Sequence, residues 1–228
     1  MNNLNQQKLI SSLLFGMIGC LCYGCGDWLM IYGDPTYTGK HFWLTNGTAN
    51  IPHWRYTFSM FLAFPGIIFY GIALFSIEDL IIKERAKKIY HYLNIFGLTP
   101  WIALHLFFVM ILELFSWMNK NGYKEQAIPI CEGLFSQLSW IIILSELMMI
   151  PVFIFWSYLQ FQGNTIFPRK FAFTNVIFIF IILKFLIKFI PTSSFKLGLI
   201  NGLMSESMMI WFGIMIIYIK KTKYITIK

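Results

Sequence analysis

Apolar residues run through this chain in membrane-length stretches separated by short polar segments. The stretches show neither the two-residue alternation of strands nor the broad polar face of a soluble surface helix. They predict six helices, at about 8–32, 57–78, 94–118, 132–160, 171–191 and 195–219. Each is long enough to cross a hydrocarbon layer of roughly 30 Å at about 1.5 Å per residue. The expected fold class is therefore all-α, a polytopic transmembrane helix bundle formed by a single integral membrane domain over 1–228. Ser12, Gly16, Cys20 and Gly24 fall four apart on the first helix, and Gly198 and Gly202 repeat the spacing on the last. Small residues at that spacing let membrane helices approach closely.

Charge orients the pattern. Only 12% of the residues are charged, against about 25% in a soluble domain. With the N-terminus in the cytoplasm, Lys8, Lys83, Arg85, Lys87, Lys88, Arg169, Lys170, Lys220, Lys221, Lys223 and Lys228 all fall inside. Lys40, Arg55, Lys120, Lys124 and Lys196 fall outside. This bias predicts a multi-pass protein of the cell membrane with both termini cytoplasmic. The net charge of +8 is explained by these topology signals and forms no stripe, so nucleic acid is not an expected partner; the lipid bilayer is. Met17-Ile18-Gly19-Cys20 loosely resembles a lipoprotein cleavage box, but the apolar run continues to Ile31. An uncleaved first helix is expected.

Four acids interrupt this pattern. Asp27, Glu113, Glu146 and Glu206 lie within or close to the apolar spans, with His105 and Lys184 beside them. A charge at bilayer depth costs roughly 2.5–3.5 kcal/mol on insertion scales, so such residues face a bundle interior and mark either a polar site or structural ion pairs. Asp27 and Glu206 continue the two small-residue stripes. Glu132, Ser139 and Glu146 fall seven apart and share a helix face, with Pro151 expected to kink the helix below Glu146. Lys184 is expected to pair with Glu113, Asp27 or Glu146, while Lys188 snorkels. Ser145-Glu146-Leu147-Met148-Met149-Ile150 echoes Ser205-Glu206-Ser207-Met208-Met209-Ile210. The echo reads either as a two-fold carboxylate site or as coincidence in a Met- and Ile-rich chain. The segment 33–56 reads as a turn at Asp34-Pro35, interfacial tryptophans at Trp43 and Trp54, and a cap or lid over the bundle. Asn46-Gly47-Thr48 forms a glycosylation sequon within it.

The residues exclude several chemistries. There is no phosphate-cradling glycine loop, no G-x-S-x-G and no H-E-x-x-H. Cys22 and Cys25 form a C-x-x-C without a second pair, so Cys20, Cys22, Cys25 and Cys131 are expected to be packing thiols, and no metal site is assigned. His41, His53 and His105 could meet only if the loop closed on the bundle. Gly26-Asp27-Trp28-Leu29 followed by Gly33-Asp34-Pro35 resembles an uncharacterised group of bacterial six-helix membrane proteins. The resemblance extends over most of the chain by helix count and length, implies six helices and carries no functional residue with it. What remains is an outward-opening polar pocket lined by Asp27, Glu113, Glu146 and Glu206, with Lys184 as counter-ion and His105 as a proton-responsive member. It would bind or transport a small ligand or cation. Two other classes fit the same residues: a small intramembrane lipid-modifying enzyme with an acid or His105 as general base, and an accessory subunit whose ion pairs fix helix register.

Overall fold

The computed structural model describes residues 3–222. Its helices are α1 (Asn3–Ile31), α2 (Asn46–Asn50), α3 (His53–Ile77), α4 (Glu84–Lys120), α5 (Lys124–Leu138), α6 (Trp140–Phe161), α7 (Val176–Ile187) and α8 (Ser194–Lys221). Short 3-10 turns cover Glu78–Leu80 and Arg169–Thr174. Among the described residues, five helices are long and apolar enough to cross a membrane: α1, α3, α4, α6 and α8.

The predicted helix at 171–191 contracts to α7. Asn175 is the reason. Its Oδ1 accepts the Ile177 amide at 3.0 Å and its Nδ2 donates to the Phe153 carbonyl at 3.0 Å. A side-chain cap starts the helix there, whatever the hydropathy upstream. The predicted 132–160 helix differs in the other direction. It begins at Lys124 and is interrupted at Ser139, whose hydroxyl donates back to the Ser136 carbonyl at 2.9 Å, a contact that bends helices. Glu132 therefore does not share a continuous face with Glu146. Its Oε1 instead accepts the Lys40 amide at 2.6 Å.

Both ends of the described chain lie at one end of the bundle. Gln6 Nε2 donates to the Ile219 carbonyl at 2.6 Å, fixing α1 antiparallel to α8. The 80–82 and 164–166 links pair there through Ile82 N to Asn164 O (2.9 Å) and Ile166 N to Leu80 O (3.0 Å). At the opposite end, the hydroxyl of Ser194 at the start of α8 bonds the Gly33 carbonyl. The stretch carrying α7 thus leads from one end of the bundle to the other.

α1 packs against α3 and α8. The glycine stripe of α8 receives Trp28 of α1: a Cβ on Gly198 would lie 2.6 Å from the Trp28 ring. The core holds Trp156, Trp211, Tyr23, Tyr70, Tyr90 and Phe212, all buried. A second cluster beneath the 33–52 segment holds Trp43, Leu44, Tyr56, Phe115 and Cys131. The two tryptophans assigned to the membrane interface thus divide: Trp43 is 2% exposed and belongs to this cluster, while Trp54 is 60% exposed. The cysteines divide too, with Cys20 and Cys131 buried and Cys25 exposed.

The segment before α3 is an ordered roof. Thr45 caps α2 in a reciprocal box with Thr48, Ser116 Oγ donates to the carbonyls of Ala49 and Ile51, and Lys120 bonds the Ile51 carbonyl. Asp34 accepts from the Thr36 hydroxyl (2.7 Å) and amide (3.0 Å), bonds that hold its carboxyl below the usual range. Buried Thr48 Oγ1 also donates to the Trp43 carbonyl at 2.9 Å and accepts the Thr45 amide at 3.0 Å. Thr48→Val keeps the shape and removes both bonds. It should destabilise the roof by about 2 kcal/mol, read as faster amide hydrogen exchange over residues 36–50, with Thr48→Ser close to wild type.

Candidate functional site

Above the aromatic core, α1, α4, α6, α7 and α8 surround a cavity of about 800 Å³, with His41, Phe42 and Trp43 of the roof over it. Asp27, His105, Glu146 and Lys184 line this cavity, together with Asn201 and Ser205. Four positions picked out by their charge alone, each on a different helix, thus meet in one place.

The pair at its inner wall is built through α3. Gly26 has no side chain, and a Cβ there would lie 3.3 Å from His105 Cε1 and from Ser59 Oγ. That vacancy lets α3 and α4 close on α1. His105 Nδ1 then lies 3.3 Å from Asp27 Oδ1, while Nε2 lies 3.2 Å from Ser59 Oγ and 3.3 Å from the Ser59 carbonyl. Ser59 Oγ donates to the Gly26 carbonyl at 2.8 Å, so it accepts from His105. A carbonyl also only accepts, so Nε2 carries a proton. One further proton lies between Nδ1 and Oδ1. Whichever atom holds it, the pair is net neutral, which suits its place inside an apolar bundle. Tyr23, one turn before Asp27, presents its ring edge-on to His105 (centroids 5.2 Å) and stacks on Tyr70 (5.2 Å). Its buried hydroxyl has no hydrogen-bond partner among the described residues.

Asp27, His105 and Ser59 superficially form an acid–imidazole–hydroxyl line. The chemistry differs from that of a nucleophile, because Ser59 is fully buried and its proton is committed to the Gly26 carbonyl.

Glu146 and Lys184 are unlike that pair. Among the described residues neither has an ion-pair partner within 4.0 Å. The Lys184 ammonium instead lies over the Phe180 ring, 5.7 Å from its centroid. The expected pairing of Lys184 with an acid is therefore corrected. Glu113 and Glu206 lie elsewhere. Glu113 pairs with His53 outside the cavity; the eight-residue step from His105 carries it about 12 Å along α4. Glu206 accepts Trp28 Nε1 at 3.2 Å and lines a separate, more open groove of about 850 Å³ with Cys25, Arg55 and Phe195. The echoed hexapeptides thus place their acids on two different cavities, and no two-fold carboxylate site forms. The two are of similar volume, but the carboxylate of the open groove is already bonded to Trp28, so the cavity of Asp27 and His105 has the stronger claim.

Sequence reasoning passed over a polar cluster at the chain-end side of the bundle. Buried Glu78 accepts from Asn94 Nδ2 at 3.1 Å and lies 3.0 Å from His91 Nδ1. The spacing of His91 and Asn94, one turn apart on α4, was its signal. Tyr23 and Asn201 were also missed; Tyr23 lies four before Asp27, on the same face. Among the described residues no three His, Cys, Asp or Glu side chains gather as metal ligands. The loop histidines separate, with His41 over the cavity and His53 on Glu113.

An all-helical bundle with five helices long and apolar enough to cross a membrane suggests a multi-pass membrane protein. Residues 1–222 match DUF6796, a family of unknown function, and the chain belongs to that family. Neither the curated proteins nor the solved structures gave a significant match.

Proposed function

We propose that this protein is a single membrane domain of the cell membrane, crossing it six times with both termini in the cytoplasm, and that its cavity binds a small ligand taken up on the outer side. The six-crossing reading is supported by the position of both ends of the described residues on one side of the bundle, where Lys83, Arg85, Arg169 and Lys170 also gather. α7 spans only about 18 Å as a helix, and the turns up to Ser194 complete the passage. Reporters fused after Lys228 and within the 33–52 segment should report opposite compartments; the same compartment for both would overturn this topology.

The observation that carries the binding reading is the pair of unpaired charges, Glu146 and Lys184, in the same largely apolar cavity as the neutral Asp27–His105 pair. Elsewhere the protein pairs Asp79 with Lys87 and Glu78 with His91. Leaving two opposite charges apart in one cavity is the arrangement a ligand of matching charge would complete. A general-base role has less support, since both His105 nitrogens are engaged, one by Asp27 and one by Ser59. Native mass spectrometry of protein extracted with its own lipids should reveal a bound molecule. It should be lost when Met204→Trp fills the cavity, without loss of folding. The same molecule retained by that variant would move the ligand out of this cavity. No bound molecule in either would leave the charges as structural features of an accessory subunit.

A further inference from the structure

The cavity wall is incomplete between α6 and α7. The two helices run in opposite directions and are tied where Asn175 Nδ2 meets the Phe153 carbonyl at 3.0 Å. Beyond that tie they make little contact with each other. Glu146 lies seven residues from Phe153, about 10 Å along α6, and Lys184 nine residues from Asn175, about 13 Å along α7. The two charges therefore stand at similar heights on opposite sides of the gap. Both are exposed and line the cavity. Their surroundings are apolar: Met149 and Ile150 from α6, Phe180 and Ile181 from α7.

Charge bookkeeping then narrows the ligand. The Asp27–His105 pair contributes no net charge, and Glu146 and Lys184 cancel. A cation would leave the ammonium of Lys184 unmatched, and an anion would leave the carboxylate of Glu146 unmatched. Only a molecule that is itself neutral overall but carries both charges completes both. Its charges must be separated enough to reach two helices, and its body must suit apolar walls that continue into the bilayer.

Building on the binding reading above, we infer that the ligand is a zwitterionic phospholipid entering sideways between α6 and α7, its phosphate held by Lys184 and its ammonium by Glu146. The head group occupies the cavity beneath His41 and Trp43, and the acyl chains leave through the gap past Ile150 and Ile181 into the membrane.

The test uses the full chain, stripped of lipid in detergent and titrated in native mass spectrometry. Three probes are used: phosphatidylethanolamine, phosphatidylglycerol with the same chains, and water-soluble O-phosphoethanolamine. The wild type should retain phosphatidylethanolamine about tenfold or more over phosphatidylglycerol. Glu146→Gln should abolish that preference, Lys184→Met should weaken both lipids by about tenfold, and Lys188→Met should change neither. Thermal unfolding of each variant confirms that folding is intact. Equal retention of the two lipids by the wild type would overturn the inference. So would binding of O-phosphoethanolamine as tight as that of the lipid, which would leave a soluble ligand and spare the binding reading. Failure of all three probes, with the protein's own lipid extract also leaving nothing bound, would remove both.

Discussion

Asp27→Leu is expected to lower stability in detergent micelles by about 3 kcal/mol. The change leaves the imidazole of His105 inside the bundle with Nδ1 unmatched, while the hydroxyl and carbonyl of Ser59 still hold Nε2. His105→Leu alone should be similarly costly, because it strands the Asp27 carboxyl next to the buried Tyr23 ring. The double variant Asp27→Leu, His105→Leu should be less destabilised than the sum of the two, with a coupling of about 2 kcal/mol. A buried pair replaced as a unit by apolar side chains loses little, whereas half a pair loses much. Reversible unfolding of the four proteins of this cycle measures the coupling directly. Strict additivity would mean that the two groups do not interact, and that the 3.3 Å approach contributes no energy.

Gly47→Ala is the second large effect expected. Gly47 and Gly33 cross with their backbones in contact: a Cβ on Gly47 would lie 2.6 Å from the Gly33 carbonyl carbon and 2.7 Å from the Asp34 carbonyl oxygen. Backbone cannot rotate aside as a side chain can. One methyl group must therefore push the roof off the end of α1 and break the Gly47 amide to Asp34 carbonyl bond, now 3.0 Å. A loss of about 2–3 kcal/mol follows, with Trp43 becoming accessible to an aqueous fluorescence quencher. Gly133→Ala, where nothing lies within 4 Å of the new methyl, should be neutral or stabilise α5 by up to about 1 kcal/mol. Equal effects at the two glycines would show that the crossing does not set the position of the roof.

The helices were legible because apolar runs of membrane length have few alternative folds. Their ends were not. Asn175 starts α7 inside a run whose hydropathy continues on both sides, since a cap is a local hydrogen bond to which composition is blind. Ser139 interrupts 124–161 by a single hydroxyl-to-carbonyl bond. Trp43 was placed at the interface because tryptophan favours it, yet the fold of its segment turns it inward against Phe108 and Phe135. For the site, periodicity gave the face a residue occupies on its own helix. Which neighbour that face meets is a property of the assembled bundle. Asp27, His105, Glu146 and Lys184 meet because their four helices enclose one space. Glu206, in the same six-residue pattern as Glu146, is turned to Trp28 by the packing of α1 on the α8 glycines. Glu113 shares a helix with His105 but lies a further 12 Å or so along it. Ser59, the partner that fixes the protonation of His105, lies 46 residues away in sequence and left no local trace.

α4 has 37 residues, about 55 Å of helix where roughly 30 Å would cross the hydrocarbon. Its C-terminal portion, against which α5 packs, serves the roof as a post. The roof is fastened to that post by Ser116 and Lys120 and to α5 by Glu132, and not only to its own neighbours in sequence. Movement of the roof is therefore resisted by a long continuous helix and its packed neighbour, while α6 and α7 make little contact with each other. On the proposed lateral route, this difference in stiffness would govern access before any charge is read: the covered top would resist entry, and the unbraced flank would admit it.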